Sequence, residues 1–221
     1  MLLPKVVTAK ERPAAADVQG GLLVREVFRS FQGEGHHAGR PAVFVRLGGC
    51  NLACQFCDTD FLESRSQLLP TDRVLDMVRG AANGSRKPIV VLTGGEPLLQ
   101  QELDTFTRML VRDGFEVHLE TNGTLPVPEE AYFHWVTCSP KVWPIKIAPG
   151  KVDEFKWVIS EDLLDDYPAG PPIDRRFHDA IHTLMPINNW PHMFDRCVAL
   201  SLDNPEYRVC ARLHQFGKGH R

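Results

Sequence analysis

Several apolar segments of strand length run directly into short turns rich in glycine and polar residues, and this recurring arrangement constrains the fold more than any other feature. The three clearest examples are residues 88–97, 115–123 and 135–141, which read PIVVLTGGEP, FEVHLETNG and WVTCSPK. The continuous apolar run at residues 88–92 is typical of a parallel strand buried on both faces. The carboxyl ends of such strands lie at one edge, which carries the active site in a β/α barrel.

The rest of the chain alternates between strand and helix patterns. Further strands are predicted at residues 22–28, 42–47, 155–159 and 180–184, with a last strand at 207–213 in which apolar and polar residues alternate. The order of strand, loop and helix predicts right-handed parallel crossovers.

The predicted helices lie between these strands. One begins at Thr71, which we expect to be its N-cap. A second helix has Leu99, Leu103, Phe106 and Leu110 on one face and ends before Gly114, and a third covers residues 193–202. Residues 162–176, rich in proline and aspartate, are predicted to form a surface loop with at most a helical turn.

Length selects among the architectures that this order allows. Residues 1–21 are predicted to be a flexible N-terminal extension, which leaves 22–221 as a single core domain. A complete barrel typically needs about 250 residues. The core falls short of that length, so we expect a partial, incompletely closed TIM-type β/α barrel. A doubly wound open sheet is the alternative.

Three cysteines form the most specific chemical motif. Cys50, Cys54 and Cys57 follow the pattern C-x-x-x-C-x-x-C directly after a predicted strand. A closed structural zinc site normally has four ligands. Three thiolates without a fourth at matching spacing favour an iron–sulfur cluster with one iron open to another ligand. Zinc and three merely structural thiols are the alternatives.

Charge, hydropathy and the other cysteines exclude several classes of protein. The net charge of −3 gives no reason to expect nucleic acid or a membrane surface as a partner. No apolar run approaches the roughly 18 residues of a membrane span. The scattered Cys138, Cys197 and Cys210 do not resemble a disulfide framework and are expected to be small buried hydrophobic residues. We therefore expect a cytoplasmic protein.

The cysteine motif together with Gly94-Gly95-Glu96-Pro97 resembles the radical S-adenosylmethionine (SAM) superfamily. The resemblance implies that the three cysteines hold a 4Fe–4S cluster, one per subunit. It also implies that SAM binds the fourth iron and that the Gly-Gly-Glu-Pro segment receives the SAM amino group. Glycines allow such a close approach of backbone to ligand.

Within that superfamily the chain is similar to the 7-carboxy-7-deazaguanine synthase family over nearly its whole length. The motifs that carry the similarity are Phe31-Gln32-Gly33-Glu34-Gly35, Val45-Arg46-Leu47, Cys57-Asp58-Thr59, Glu120-Thr121-Asn122-Gly123-Thr124, Ser139-Pro140-Lys141 and Arg212-Leu213-His214. The resemblance implies a carbon–nitrogen lyase that converts 6-carboxy-5,6,7,8-tetrahydropterin to 7-carboxy-7-deazaguanine by a radical ring contraction with loss of ammonia. This reaction belongs to the biosynthesis of 7-deazapurines such as queuosine.

The resemblance also assigns roles to individual residues. SAM would contact Gly95, Glu96, Ser139, Lys141, Met185 and Pro186. The substrate pocket would be lined by Phe31, Gln32, Gly33, Glu34, Arg46, Thr93 and His214, and Thr59 would bind Mg²⁺. A guanidinium suits an anionic carboxylate, and amide and carboxylate groups suit an aminopyrimidinone edge. Catalysis itself would be carried by the cluster and SAM, with no catalytic side chain assigned.

Three of these assignments have a simpler alternative. Arg46 could be an exposed strand arginine, Thr59 could cap a turn, and His214 could be a packing or surface histidine. The family further implies a homodimer and a flavodoxin-like electron donor. Two other functions fit the cysteine motif: a glycyl-radical-enzyme activase that acts on a partner protein, and a non-catalytic zinc or iron–sulfur protein.

Overall fold

A computed structural model describes residues 19–54, 57, 65–83 and 87–216, and one mixed sheet forms its frame. The strands are β1 Leu22–Phe31, β2 Pro41–Leu47, β3 Gln67–Leu69, β4 Ile89–Gly94, β5 Val117–Thr121, β6 Trp135–Cys138, β7 Glu154–Ile159, β8 Ile181–Pro186 and β9 Tyr207–Val209. The α-helices are α1 Thr71–Ala82, α2 Leu103–Arg112, α3 Glu161–Asp166 and α4 Pro191–Asp203. Short 3₁₀ turns lie at Pro97–Leu99, Arg175–Phe177, Ile187–Asn189 and Leu213–Gln215.

The sheet runs in the order β3-β1-β2-β4-β5-β6-β7-β8-β9. From β2 to β9 every neighbouring pair is parallel, as predicted. β1 is antiparallel to both β2 and β3, so the prediction of parallel crossovers was wrong at this edge. A parallel connection needs a dozen or more residues, and residues 32–40 are too few to make one.

The two ends of the sheet, β3 and β9, do not pair with each other in the described part of the chain. The architecture is therefore the incompletely closed barrel expected from chain length. The C-terminal segment that follows β9 lies across this opening. Its Leu213 amide donates to the Gly33 carbonyl at 2.9 Å, which links the last described residues to the loop between β1 and β2.

Helices cover the outside of the barrel in two groups. Helices α1 and α2 pack on β1, β2, β4 and β5, with Val74, Val78 and Phe106 fully buried. Helices α3 and α4 pack on β7, β8 and β9, where Trp157 and Cys197 are fully buried. Both apolar layers lie on the outer face of the sheet. The inner face is therefore available for polar side chains.

Several boundaries differ from the sequence predictions. Pro70, not Thr71, occupies the N-cap of α1, and Leu99 ends a 3₁₀ turn before α2. The last strand stops at Val209, because the chain then turns toward the β1–β2 loop. Gly114 has a φ of +81°, which confirms it as the residue that ends α2.

The sequence patterns missed β3 and did not predict α3 as a full element. Residues 1–18 of the predicted N-terminal extension lie outside the described residues. In the part of the chain that the structure covers, every helix is too short or too polar to cross a bilayer.

Candidate active site

A cavity of about 240 Å³ opens at the carboxyl ends of the parallel strands. Of the predicted site residues, it is lined by Phe31, Gln32, Gly33, Glu34, Arg46, Cys50, Cys54, Cys57, Thr93, Gly95, Ser139, Lys141, Met185 and His214. Glu96 and Pro186 are not among its lining residues, and Thr59 lies outside the described residues. The structure thus brings together segments from both ends of the chain.

The three motif cysteines line the same part of this cavity. Cys50 and Cys54 are half-buried, Cys57 is exposed, and all three are free thiols. Burial raises the pKa of the Cys50 thiol to about 12, and iron binding would require the thiolate. Three thiol sulfurs on one cavity fit a cluster with an open iron. Cys138 and Cys197 are fully buried in the core, which confirms them as small hydrophobic residues. Cys210 is only half-buried and accepts from the Gly35 amide at 3.2 Å, so the same prediction was wrong for Cys210.

The Gly-Gly-Glu-Pro turn packs directly on the cysteine loop. Gly94 has a φ of +127°, which favours glycine. A side chain on Gly95 would overlap the Gly49 carbonyl, so glycine is required at this close approach. The Glu96 amide donates to the same carbonyl at 2.9 Å. The turn therefore presents bare backbone to the cavity beside Cys50.

The Glu96 side chain points away from the cavity. It is completely buried and accepts hydrogen bonds from the Thr121 hydroxyl at 2.8 Å and from the amides of Asn122 and Leu98 at 2.7 and 3.1 Å. Burial, partly offset by these hydrogen bonds, raises the pKa of Glu96 to about 7. The carboxylate thus joins the turns after β4 and β5, and contact of Glu96 with SAM stays a prediction.

Asn122 continues this connection to the cysteine loop. Its side-chain nitrogen lies 3.1 Å from the Asn51 oxygen and 3.9 Å from the Cys50 sulfur. Nearby, Ser139 donates to the Lys156 carbonyl at 2.8 Å, and Lys141 donates to the Ser139 carbonyl at 3.0 Å. Hydroxyl, ammonium and amide groups therefore surround the region beside the thiols.

Arg46 also lines the cavity and is held by an aromatic platform. Its guanidinium lies 5.4 Å from the centre of the Phe28 ring, which stacks on Phe44 at 5.2 Å. Glu26 lies 3.4 Å from the Arg46 Nε and fixes the other side of the group. An arginine oriented in this way can bind a carboxylate with two parallel hydrogen bonds.

A network of buried charges lies between Arg46 and the strand ends. The Lys156 ammonium donates to Glu34 at 2.6 Å and to Glu120 at 3.3 Å. Glu120 also accepts from Gln32 at 3.1 Å and from Thr93 at 3.0 Å. The folded β1–β2 loop carries Gln32 and Glu34 into the barrel, where Gly39 donates to the Gln32 carbonyl at 2.7 Å.

The pKa values in this network follow from burial and from opposite charges. Burial alone would raise the pKa of Glu34, but Lys156 and Arg212 outweigh it and lower the value to about 2. Burial likewise opposes the Lys156 ammonium, yet Glu120 and Glu34 raise its pKa above the ordinary value. Both Lys156 and Glu34 are therefore charged at neutral pH.

The C-terminal segment completes the wall. Arg212 lies 3.3 Å from the Glu34 carboxylate, and His214 packs so closely on Gly33 that a side chain there would overlap its ring. Asn189 accepts from the Arg212 amide at 2.9 Å and donates to the Arg212 carbonyl at 3.1 Å and to Gln215 at 2.8 Å. Asn189 thus fixes the residues that bring His214 to the cavity.

Sequence reasoning missed several members of this site, chiefly Phe28, Phe44 and Lys156. Lys156 carried a signal, since it is the single charge within the apolar run 155–159. A lysine inside a buried strand needs an anionic partner, which points to a functional interior. The two phenylalanines are indistinguishable from core residues in a sequence.

Comparison with known proteins agrees with this geometry. The radical SAM superfamily matches residues 44–133. Proteins named 7-carboxy-7-deazaguanine synthase match at 41% identity in Bradyrhizobium diazoefficiens, over 87% of this chain and 96% of the relative, and at 44% in Bacteroides thetaiotaomicron, over 67% and 76%. The crystal structure of QueE from Escherichia coli matches with a TM-score of 0.68 and 25% identity, over 87% of this chain and 94% of that one. The chain therefore belongs to the 7-carboxy-7-deazaguanine synthase family of the radical SAM superfamily.

Proposed function

We propose that this protein is a radical SAM lyase that converts 6-carboxy-5,6,7,8-tetrahydropterin to 7-carboxy-7-deazaguanine with loss of ammonia, in queuosine-type biosynthesis. The observation that carries the proposal is a single cavity that is lined by the three motif thiols, by Arg46 and by a network of buried carboxylates. That pairing suits a small ligand with a carboxylate at one end and N–H donors at the other.

Each wall of the cavity has a separate task. Cys50, Cys54 and Cys57 would hold the cluster, while Gly95 and Lys141 border the space beside it. When bound, the cluster and SAM supply the hydrogen-atom abstraction that starts the ring contraction. The protein's own contribution is to bind both ligands next to each other and to keep the reacting atoms away from water.

The substrate would be oriented by groups that the fold fixes in advance. Arg46 would bind its carboxylate, and Glu34 and Glu120 would accept hydrogen bonds from the aminopyrimidinone edge. Phe28 and Phe44 supply an apolar wall beside the ring. Rigid placement of this kind removes the entropic cost of orientation at the moment of reaction.

Three further features are proposed from sequence similarity to the family. Thr59 would provide an oxygen ligand to Mg²⁺ near the substrate carboxylate. A flavodoxin-like protein would deliver the electron, and two copies of the chain would form a homodimer. The free thiols of the described residues are compatible with a reducing cytoplasm.

Product analysis tests the main proposal. The protein is reconstituted anaerobically with iron and sulfide, then incubated with dithionite, SAM, Mg²⁺ and the carboxypterin. We expect 7-carboxy-7-deazaguanine by mass spectrometry, and none from Cys54→Ala, which cannot assemble the cluster. An intact cluster without any deazaguanine product would refute the proposal. The activase alternative is not favoured, because the matched relatives carry the synthase name.

A further inference from the structure

Lys156 is unusual because a charged side chain is enclosed in the middle of the barrel. Only 5% of its surface is exposed, and it stands on β7 between Glu34 from the β1–β2 loop and Glu120 from the end of β5. Removing an ammonium from water costs several kcal/mol unless anionic partners compensate. The two carboxylates supply that compensation, so three separate elements depend on one another here.

Neither carboxylate is saturated by partners among the described residues. An ionised carboxylate has about four acceptor positions. In the described part of the chain, Glu34 accepts from Lys156 and lies 3.3 Å from Arg212. Glu120 accepts from Gln32, Thr93 and Lys156. Both glutamates also line the cavity. Acceptor capacity therefore remains for a ligand that donates hydrogen bonds.

We propose that Lys156 is a positioning residue that holds Glu34 and Glu120 side by side as ionised acceptors, and thereby makes the cavity select rings that present amino and N–H donors. The inference rests on the proposed function, since it names the feature of the pterin that the site recognises. A 2-oxo analogue, in which a carbonyl replaces the amino group, would turn an acceptor toward a carboxylate and be rejected. Sites built around buried polar groups discriminate strongly in this way.

Loss of the Lys156 ammonium should change the protonation state of the two carboxylates without unfolding the protein. Without Lys156, two like charges would share a buried space, and one of them would take up a proton near neutral pH. A protonated carboxyl is a donor on one oxygen and no longer matches a donor edge. Arg212 and His214 still face Glu34, and Gln32 and Thr93 still face Glu120, so the second carboxylate would stay ionised.

Ligand binding to the reconstituted protein tests this without turnover. Oxidised 6-carboxypterin and its 2-oxo analogue are titrated by calorimetry at pH 5.5 to 8. The wild type should prefer the pterin with little pH dependence. Lys156→Gln should bind the pterin about tenfold more weakly at pH 6, with affinity recovering as pH rises, and should lose most of its selectivity. Lys156→Arg should keep the flat pH profile.

Lys151→Gln is the matched control, because Lys151 is an exposed lysine outside the cavity. If Lys156→Gln does not fold, Glu120→Gln replaces it, since Lys156 then keeps Glu34 as a partner, and selectivity should again fall about tenfold. This inference alone would be overturned if a folded Lys156→Gln kept the affinity, selectivity and pH profile of the wild type. Unchanged selectivity in Glu120→Gln would overturn it too. No pterin binding by the wild type would overturn the proposed function as well.

Discussion

At the scale of single residues, the site depends on contacts between positions that are remote in the sequence. Lys156 meets Glu34 and Glu120 across separations of 122 and 36 residues. A sequence identifies each residue type but does not predict these contacts, because they depend on strand order and register. Cysteines are the exception, since their spacing alone places three thiols in one loop. The same logic explains why Glu120 could not be assigned a role before the fold was known.

Gly33 offers a test of how closely the C-terminal segment must pack. Its backbone φ is outside the left-handed region, but an added methyl group would overlap the His214 ring. We expect Gly33→Ala to displace His214 and to raise the KM for the pterin about tenfold, since a charged or polar contact of this kind is worth about 1.5 kcal/mol. SAM affinity, measured by calorimetry, should stay within about twofold of wild type.

Steady-state kinetics of Gly33→Ala beside His214→Ala separates the contact from the fold. Displacement of His214 predicts similar KM values for the two variants and an unchanged melting temperature. A wild-type KM in Gly33→Ala would mean that the ring accommodates the methyl group without leaving the cavity.

At the scale of elements, apolar periodicity predicted most strands and helices. It did not predict the path of the backbone after the last strand. The parallel strands β4 to β8 matched, because each is a mainly apolar segment of strand length that runs into turn residues. The last strand was predicted too long, because the alternation after Val209 continues while the backbone leaves the sheet. There the hydrogen bonds of Asn189, not hydrophobic pattern, set the path.

Asn189 therefore gives a prediction about that segment. Asn189 has a φ of +52°, so Asn189→Gly keeps the backbone conformation while removing three hydrogen bonds to Arg212 and Gln215. We expect a looser wall, a three- to tenfold higher KM for the pterin and unchanged iron content. That increase corresponds to about 0.7–1.4 kcal/mol, roughly the net contribution of one hydrogen bond. Steady-state kinetics together with iron analysis would check this. An unaltered KM would show that the C-terminal segment keeps its place without the hydrogen bonds of Asn189.

Helix α1 provides a stability prediction that is independent of the site. Gly80 is exposed within this helix, and an added methyl group would meet open space. Gly80→Ala should raise the free energy of unfolding by about 0.4–1 kcal/mol, because alanine loses less backbone entropy on folding. Urea unfolding followed by circular dichroism measures the change, with activity expected to equal that of the wild type. A destabilised variant would mean that α1 is not helical at this position.

At the scale of the whole molecule, chain length and the polar strand ends predicted both the open barrel and the location of the cavity. The antiparallel start escaped prediction, because nothing in β1 itself distinguishes a parallel from an antiparallel neighbour. That start matters for function. It turns the loop of residues 32–40 inward, and this loop delivers Gln32 and Glu34 to the cavity.

Global stability should depend on pH through buried histidines. His182 is 4% exposed, stacks on Phe155 and accepts from the Trp157 indole at 3.3 Å, and burial lowers its pKa to about 4. Between pH 6.5 and 4 the unfolded chain binds a proton at this residue that the native state does not. Stability is therefore full above pH 6.5 and falls as pH decreases through that window.

The histidine contribution can be isolated by substitution. His182→Asn keeps an acceptor for Trp157 but cannot be protonated, so its loss of stability from pH 7 to pH 4.5 should be smaller than that of the wild type by about 1–3 kcal/mol. Exposed His178 supplies the matched control, and His178→Asn should follow the wild-type curve. Urea unfolding at both pH values measures the difference. Parallel curves for His182→Asn and the wild type would mean that His182 titrates normally and that acid sensitivity arises elsewhere in the fold.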